Sequence, residues 1–137
     1  MKSETLIDLI YRLKAGCLAS ELDIMEESGL SPAEFNGIAA IEPNEKISGN
    51  AVSKKMNLSP SRASRVVDKM VKNGYLIRET DALDRRKCKI SLAGKGVKIK
   101  KRIRQIRRKC EKRIREEVPE KEIEAFSQIL KRIIDII

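Results

Sequence analysis

The run Leu58-Ser59-Pro60-Ser61-Arg62-Ala63-Ser64-Arg65-Val66-Val67-Asp68-Lys69-Met70-Val71-Lys72-Asn73-Gly74 decides how this chain is to be read. Ser59 is a favourable N-cap, and Pro60 follows at the first helical position, where its missing N–H costs nothing and its fixed φ suits the helix. Asn73-Gly74 suits a left-handed C-terminal cap. Between these ends Ala63, Val66, Val67 and Met70 recur at i, i+3, i+4 and i+7 as one buried stripe, while Arg62, Arg65, Lys69 and Lys72 project from other faces. The predicted helix buries one side and offers cations on the other. Its first turn, Pro60-Ser61-Arg62, combines small side chains with free backbone donors, which lets a helix end approach phosphates and base edges closely.

Working outward, a preceding helix starts at Ser48 as N-cap, turns Ala51, Val52 and Met56 inward and ends at Asn57. Downstream, Leu76–Thr80 has a strand-like composition, and Cys88, Ile90 and Leu92 alternate with Lys89 and Ser91 to give a second strand with two faces. The connecting loop is Asp81-Ala82-Leu83-Asp84-Arg85-Arg86-Lys87. Three successive cations at a hairpin tip repel one another and stabilise nothing local, so a polyanionic partner explains them better than folding does. A helix, a turn, a cationic second helix and an arginine-tipped hairpin within residues 47–96 make a winged helix-turn-helix. The fold class expected is mainly α with a small β-hairpin wing.

The run 58–70, with Asn73-Gly74-Tyr75-Leu76-Ile77-Arg78, Asp84-Arg85-Arg86 and Ser91-Leu92-Ala93-Gly94-Lys95-Gly96, resembles the MarR family of transcription regulators. Upstream, Gly29-Leu30-Ser31-Pro32-Ala33-Glu34-Phe35 resembles the start of that family's second helix, and Ser31 with Glu34 forms a capping box on physical grounds alone. The resemblance covers most of the chain. It implies that Arg86 is the wing-tip arginine that enters the minor groove, with Asp84 holding the loop or that arginine in place. Where the family usually has Thr, this chain has Ala93, which removes a capping hydroxyl before the next helix.

Charge is distributed in blocks. Of the net +10, residues 1–50 carry −5, residues 51–115 carry +18 and residues 116–137 carry −3. The basic block coincides with the reading head and the helix after it, which argues for a polyanion and for electrostatically steered association. Two Tyr, two Phe and no Trp leave little for stacking single-stranded bases, so duplex DNA is the expected partner. No apolar run is long enough to span a bilayer and residues 1–14 lack the order of a secretory signal, so a cytoplasmic location with no membrane partner is expected. Three widely spaced cysteines do not form a disulfide framework.

The flanks complete the expected architecture, a single domain over 1–137 with the winged helix-turn-helix at 31–96 and dimerisation helices at 3–27 and 97–137. Leu6, Ile10, Leu13 and Cys17 mark an amphipathic first helix that continues towards Glu27 despite Gly16. After the wing, Ile99, Ile103, Ile106, Cys110 and Ile114 form a narrow seam until Pro119 breaks the helix, and Ile123, Phe126, Leu130, Ile133, Ile134 and Ile137 line the last one. A reading head of about 50 residues cannot cover three such helices, so a second copy is the economical cover. The resemblance implies the same, a two-fold dimer whose paired recognition helices meet successive major grooves. Nine Lys or Arg in the fifteen positions 101–115 make the long helix either a phosphate-tracking flank, a surface for an acidic partner, or a solvated outer face.

Enzymatic chemistry finds no footing. The chain has no His, no glycine-rich phosphate loop and no carboxylates outside charged surface-like runs. No metal site is expected from three scattered Cys, and no cofactor is implied. Cys17 and Cys110 invite a redox-sensing alternative because some family members sense oxidants through cysteine. Packing as small apolar residues is the other reading, and Cys88, alternating inward, is assigned to packing.

The sequence thus points to a homodimeric regulator, a repressor, on a pseudo-palindromic operator. Ser61, Arg62, Ser64 and Arg65 face the major groove; Arg85, Arg86 and Lys87 the minor groove and its phosphates; Ser48, with its helix N-terminus, the backbone; Ser59, Lys69 and Asp84 complete the DNA-binding set. The resemblance also implies release by a small ligand, anionic or phenolic. The reading from another class is a winged-helix interaction or architectural subunit of a nucleoprotein assembly, which keeps the fold but has no operator of its own.

Overall fold

The computed structural model describes residues 3–84 and 87–137. The chain divides into two compact units, Met1–Arg104 and Gln105–Ile137. In chain order its elements are α1 (Leu6–Ser28), α2 (Pro32–Ala40), β1 (Ile47–Ser48), α3 (Gly49–Met56), α4 (Pro60–Lys72), β2 (Leu76–Thr80), β3 (Cys88–Leu92), α5 (Gly94–Glu117) and α6 (Glu120–Ile136).

The first unit is built around Ile24, Phe35, Ile38, Ile41, Val52, Met56, Val67, Met70, Leu76, Ile90 and Ile103, all essentially inaccessible. Helix ends are set by local chemistry. Ser31 accepts from the Glu34 N–H while the Glu34 carboxylate accepts from the Ser31 N–H, the reciprocal pair expected of Ser31-Pro32-Ala33-Glu34. Thr5 and Asp8 make a second such box at α1, where the Thr5 backbone N–H holds the Asp8 carboxyl below its ordinary value. The helix from Leu6 passes Gly16 and runs to Ser28, as the periodicity requires. Leu6, Leu13 and Cys17 are nevertheless exposed in the single chain, and Ile10 is half-buried.

The sheet is larger than the hairpin expected. β2 and β3 pair antiparallel with Leu76 opposite Leu92 and Thr80 opposite Cys88, and β1 adds a short third strand through Ile47 opposite Ile90 and Ser48 opposite Lys89, giving the order β1-β3-β2. Two residues carry no readable alternation, so β1 had no periodic signal. Ala93, in place of a capping hydroxyl, leaves α5 to start from backbone contacts. Its N–H donates to the Tyr75 carbonyl at 3.0 Å, and the Lys95 N–H donates to the Gly74 carbonyl at 3.3 Å.

The seam expected along α5 divides. Ile99 and Ile103 belong to the core of the first unit, Ile106 is half-buried, and Cys110 and Ile114 are exposed. In the second unit Pro119 stands at the N-cap of α6, and Arg115 ties the turn by pairing with both Glu111 and Glu120. No α6 residue is fully buried; Phe126, Ile129, Ile134 and Ile136 are all exposed. Among the described residues no helix is long and apolar enough to cross a membrane.

Candidate nucleic-acid interface

The reading helix forms for the reasons its sequence suggests. The Ser59 hydroxyl accepts from the Arg62 N–H at 3.4 Å, Pro60 occupies the first turn, and Ala63, Val67 and Met70 are buried. Val66 is only half-buried, because the neighbours of α4 cover a narrower stripe than the four apolar positions offer. At the far end Gly74 adopts φ of +81°, the Tyr75 N–H reaches back to the Met70 carbonyl at 2.9 Å, and the Gly74 N–H reaches the Val71 carbonyl. This pair of bonds ends the helix and turns the chain directly into β2. The left-handed residue is Gly74 alone, since Asn73 keeps a negative φ.

Ser61, Arg62, Ser64 and Arg65 are all exposed on α4. Neither Arg62 nor Arg65 has an acidic partner among the described residues, so both guanidinium groups are open to a ligand. Ser59 faces its own helix end, with its hydroxyl 3.4 Å from that of Ser61. Lys69 leans back towards the capping carboxylate of Glu34, 4.0 Å away, and so stands apart from the open arginines.

Beside α4 lies a groove of about 420 Å³. One wall is the N-terminus of α3, where the Ser48 hydroxyl accepts from the Ala51 N–H at 3.1 Å and leaves neighbouring backbone donors free to meet an anion. The other walls are Pro60, Ala63, Ser64 and Val67 of α4, and Lys87, Cys88, Lys89 and Ile90 from the wing side, with Arg78 from β2. Cys88 is half-buried and packs against Gly49, where an added Cβ would stand 2.9 Å from its sulfur. Lys87 is exposed; its N–H donates to the Asp84 carbonyl and its carbonyl accepts from the Asp81 N–H, which closes the base of the loop. Arg85 and Arg86, the expected minor-groove residues, lie outside the described residues.

Arg78 was not among the expected site residues. It shares the inward face of β2 with Leu76, yet its guanidinium reaches α4, pairing with the Asp68 carboxylate and donating to the Ser64 carbonyl at 3.2 Å and hydroxyl at 3.5 Å. The signal was present in two places. A cation on the core-facing side of a strand needs an acid opposite it, and Asp68 is the one acid on an otherwise cationic helix. Ser64, placed by its sequence among the groove-reading residues, is therefore partly engaged within the protein.

A sequence profile of the MarR family matches residues 28–87. No curated protein sequence matches significantly. Among solved structures, the chain is similar over 98% of its length to all of MepR from S. aureus in a DNA complex, with a TM-score of 0.77 at 16% identity. A MarR-family regulator from Silicibacter pomeroyi matches 95% of this chain and 88% of its own, with a TM-score of 0.76 at 22% identity. NadR in complex with 4-hydroxyphenylacetate matches 97% of this chain and 95% of its own, with a TM-score of 0.73 at 12% identity. Capped α2, the α3–α4 pair and the wing all fall within or directly beside the matched segment, so it is the winged helix-turn-helix of this chain that is similar to the MarR family, and the solved structures share its fold.

Proposed function

We propose that the chain acts as a homodimer that recognises a pseudo-palindromic operator in duplex DNA and represses the gene beside it. The observation that carries this reading is the pairing of two unengaged arginines, Arg62 and Arg65, on the N-terminal half of α4 with a cationic groove at its side. Ser61, Arg62 and Arg65 read base edges in the major groove, where an arginine bonds guanine in bidentate fashion. Ser48 with the α3 N-terminus takes a backbone phosphate, and Lys87 with Arg85 and Arg86 takes the minor groove and its edges. The S. aureus MepR structure, a protein–DNA complex with the same fold, supports the assignment.

Dimerisation is supported by the apolar side chains the single chain leaves in water. Leu6, Leu9, Tyr11 and Leu13 on α1 and Phe126, Ile129 and Ile134 on α6 are each about half exposed or more. So much apolar surface on helices is a mark of an obligate interface. A two-fold dimer presents its reading helices to grooves one helical turn of DNA apart. Release by a small anionic or phenolic ligand is supported by the NadR structure, which holds 4-hydroxyphenylacetate.

Selection of bound duplexes from a random pool tests the function. A two-fold consensus is expected; a pool that stays unenriched removes the operator and leaves an architectural winged helix. Titration of the bound operator with small phenols and carboxylates then tests release.

A further inference from the structure

We propose that Arg78 is a positioning residue that locks the wing to the reading helix and thereby sets sequence preference. The inference rests on the operator-binding reading above. Arg78 projects from β2, the strand that leads to the wing tip, and its three acceptors, the Asp68 carboxylate and the Ser64 carbonyl and hydroxyl, lie one helical turn apart on α4. One planar fork therefore joins the two DNA-reading devices of the fold. Lysine, a point charge on a flexible stem, does not reproduce a fork of this geometry.

The placement is constrained on every side. The Arg78 side chain is 25% exposed against 54% for Asp68, so the fork closes over the helix from the sheet side. Its Nε is buried with no hydrogen-bond partner among the described residues. A buried donor without an acceptor is unfavourable, and it persists here because the two terminal nitrogens hold the group in place. Leu76 anchors the same strand two residues earlier in the core, and Arg78 stands opposite Ile90 of β3, so a displaced Arg78 frees both strands of the hairpin to tilt. Neutralising Asp68 is the second consequence. Without Arg78 the reading helix presents an unpaired carboxylate beside Arg65 and the phosphates, which disfavours duplex DNA and alters the preferred base.

Three variants of the full-length protein test this: Arg78→Lys, Arg78→Ala and Asp68→Asn. Amide hydrogen exchange in the DNA-free protein reads the lock directly. In Arg78→Lys the amides of β2, β3 and the Ser64–Asp68 turn should exchange about tenfold faster while the core of α2 and α3 keeps its protection. Operator and random-duplex affinities across a salt series read the consequence. Arg78→Lys should lower the operator-to-random ratio about tenfold with the random-duplex affinity and its salt slope unchanged, and Asp68→Asn should lower the same ratio in the same direction. Arg78→Ala should repeat the loss, with its urea midpoint showing that the fold persists. Full retention of the ratio and of exchange protection by Arg78→Lys overturns the lock. A parallel fall in operator and random-duplex affinity, with a salt slope reduced by about one, makes Arg78 a phosphate contact and also overturns it. If the parent protein shows no operator preference the functional reading fails, and the exchange arm still decides whether Arg78 holds the wing.

Discussion

Gly96 offers a perturbation whose outcome turns on two opposed effects. It lies buried in the first turn of α5, where alanine is intrinsically the better helix former by about 1 kcal/mol. A Cβ at this position would stand 3.2 Å from the Tyr75 carbonyl carbon, 3.3 Å from Leu92 Cδ2 and closer still to the Tyr75 carbonyl oxygen. That oxygen already accepts from the Ala93 N–H, and the neighbouring Lys95 N–H donates to Gly74. Gly96→Ala must therefore push the start of α5 away from the turn that joins α4 to β2. Overpacking costs about 1–3 kcal/mol. A lost backbone hydrogen bond adds about 1 kcal/mol. Set against the propensity gain, the net destabilisation is about 2 kcal/mol, read as a lower urea midpoint at unchanged slope. Because Leu76 follows Tyr75 in β2, operator affinity should fall with it. A variant as stable as the parent, or more so, refutes the close approach of α5 to the turn.

Removing residues 119–137 should expose the surfaces assigned to α6 in the proposed dimer; a monomer or an aggregate by light scattering is expected, and a soluble dimer with normal duplex binding contradicts the role given to α6. Cys17 and Cys110, exposed in the single chain, should label slowly with a thiol reagent in the assembled dimer and rapidly in the truncated protein. Modest peroxide should leave operator affinity unchanged in the parent and in Cys17→Ser and Cys110→Ser, whereas loss of binding that a reductant reverses and either substitution abolishes identifies a redox sensor. Arg86→Ala should weaken binding most at operators with narrow, A·T-rich flanks, and uniform weakening across flanks contradicts a minor-groove role.

Legibility followed the range of the physics. The α3–α4 pair and its caps rest on neighbours three or four residues apart, so Ser48, Asn57, Ser59, Pro60 and Gly74 announced them, and the two-residue alternation of Cys88, Ile90 and Leu92 announced β3. Thr5 with Asp8 obeys the same local rule, and their spacing is visible in the sequence. Longer-range facts were not readable. Ile99 and Ile103 look like Cys110 and Ile114 in the helical repeat, yet only the first pair is buried, because periodicity marks an apolar face without naming its neighbour. β1 exists because Ile47 meets Ile90, forty-three residues later in the chain. Arg78 is the functional instance: its partners Ser64 and Asp68 precede it across a turn, and only the packing of β2 on α4 brings them together.

The central claim is that α4 reads sequence, and affinity of Arg62→Ala and Arg65→Ala for the selected operator and for random duplex, each across a salt series, tests it most directly. Loss of a bidentate base contact should cost about 1–3 kcal/mol on the operator and leave random-duplex binding much less affected. Equal weakening of both duplexes by both substitutions contradicts the account, because α4 would then attract DNA without reading it.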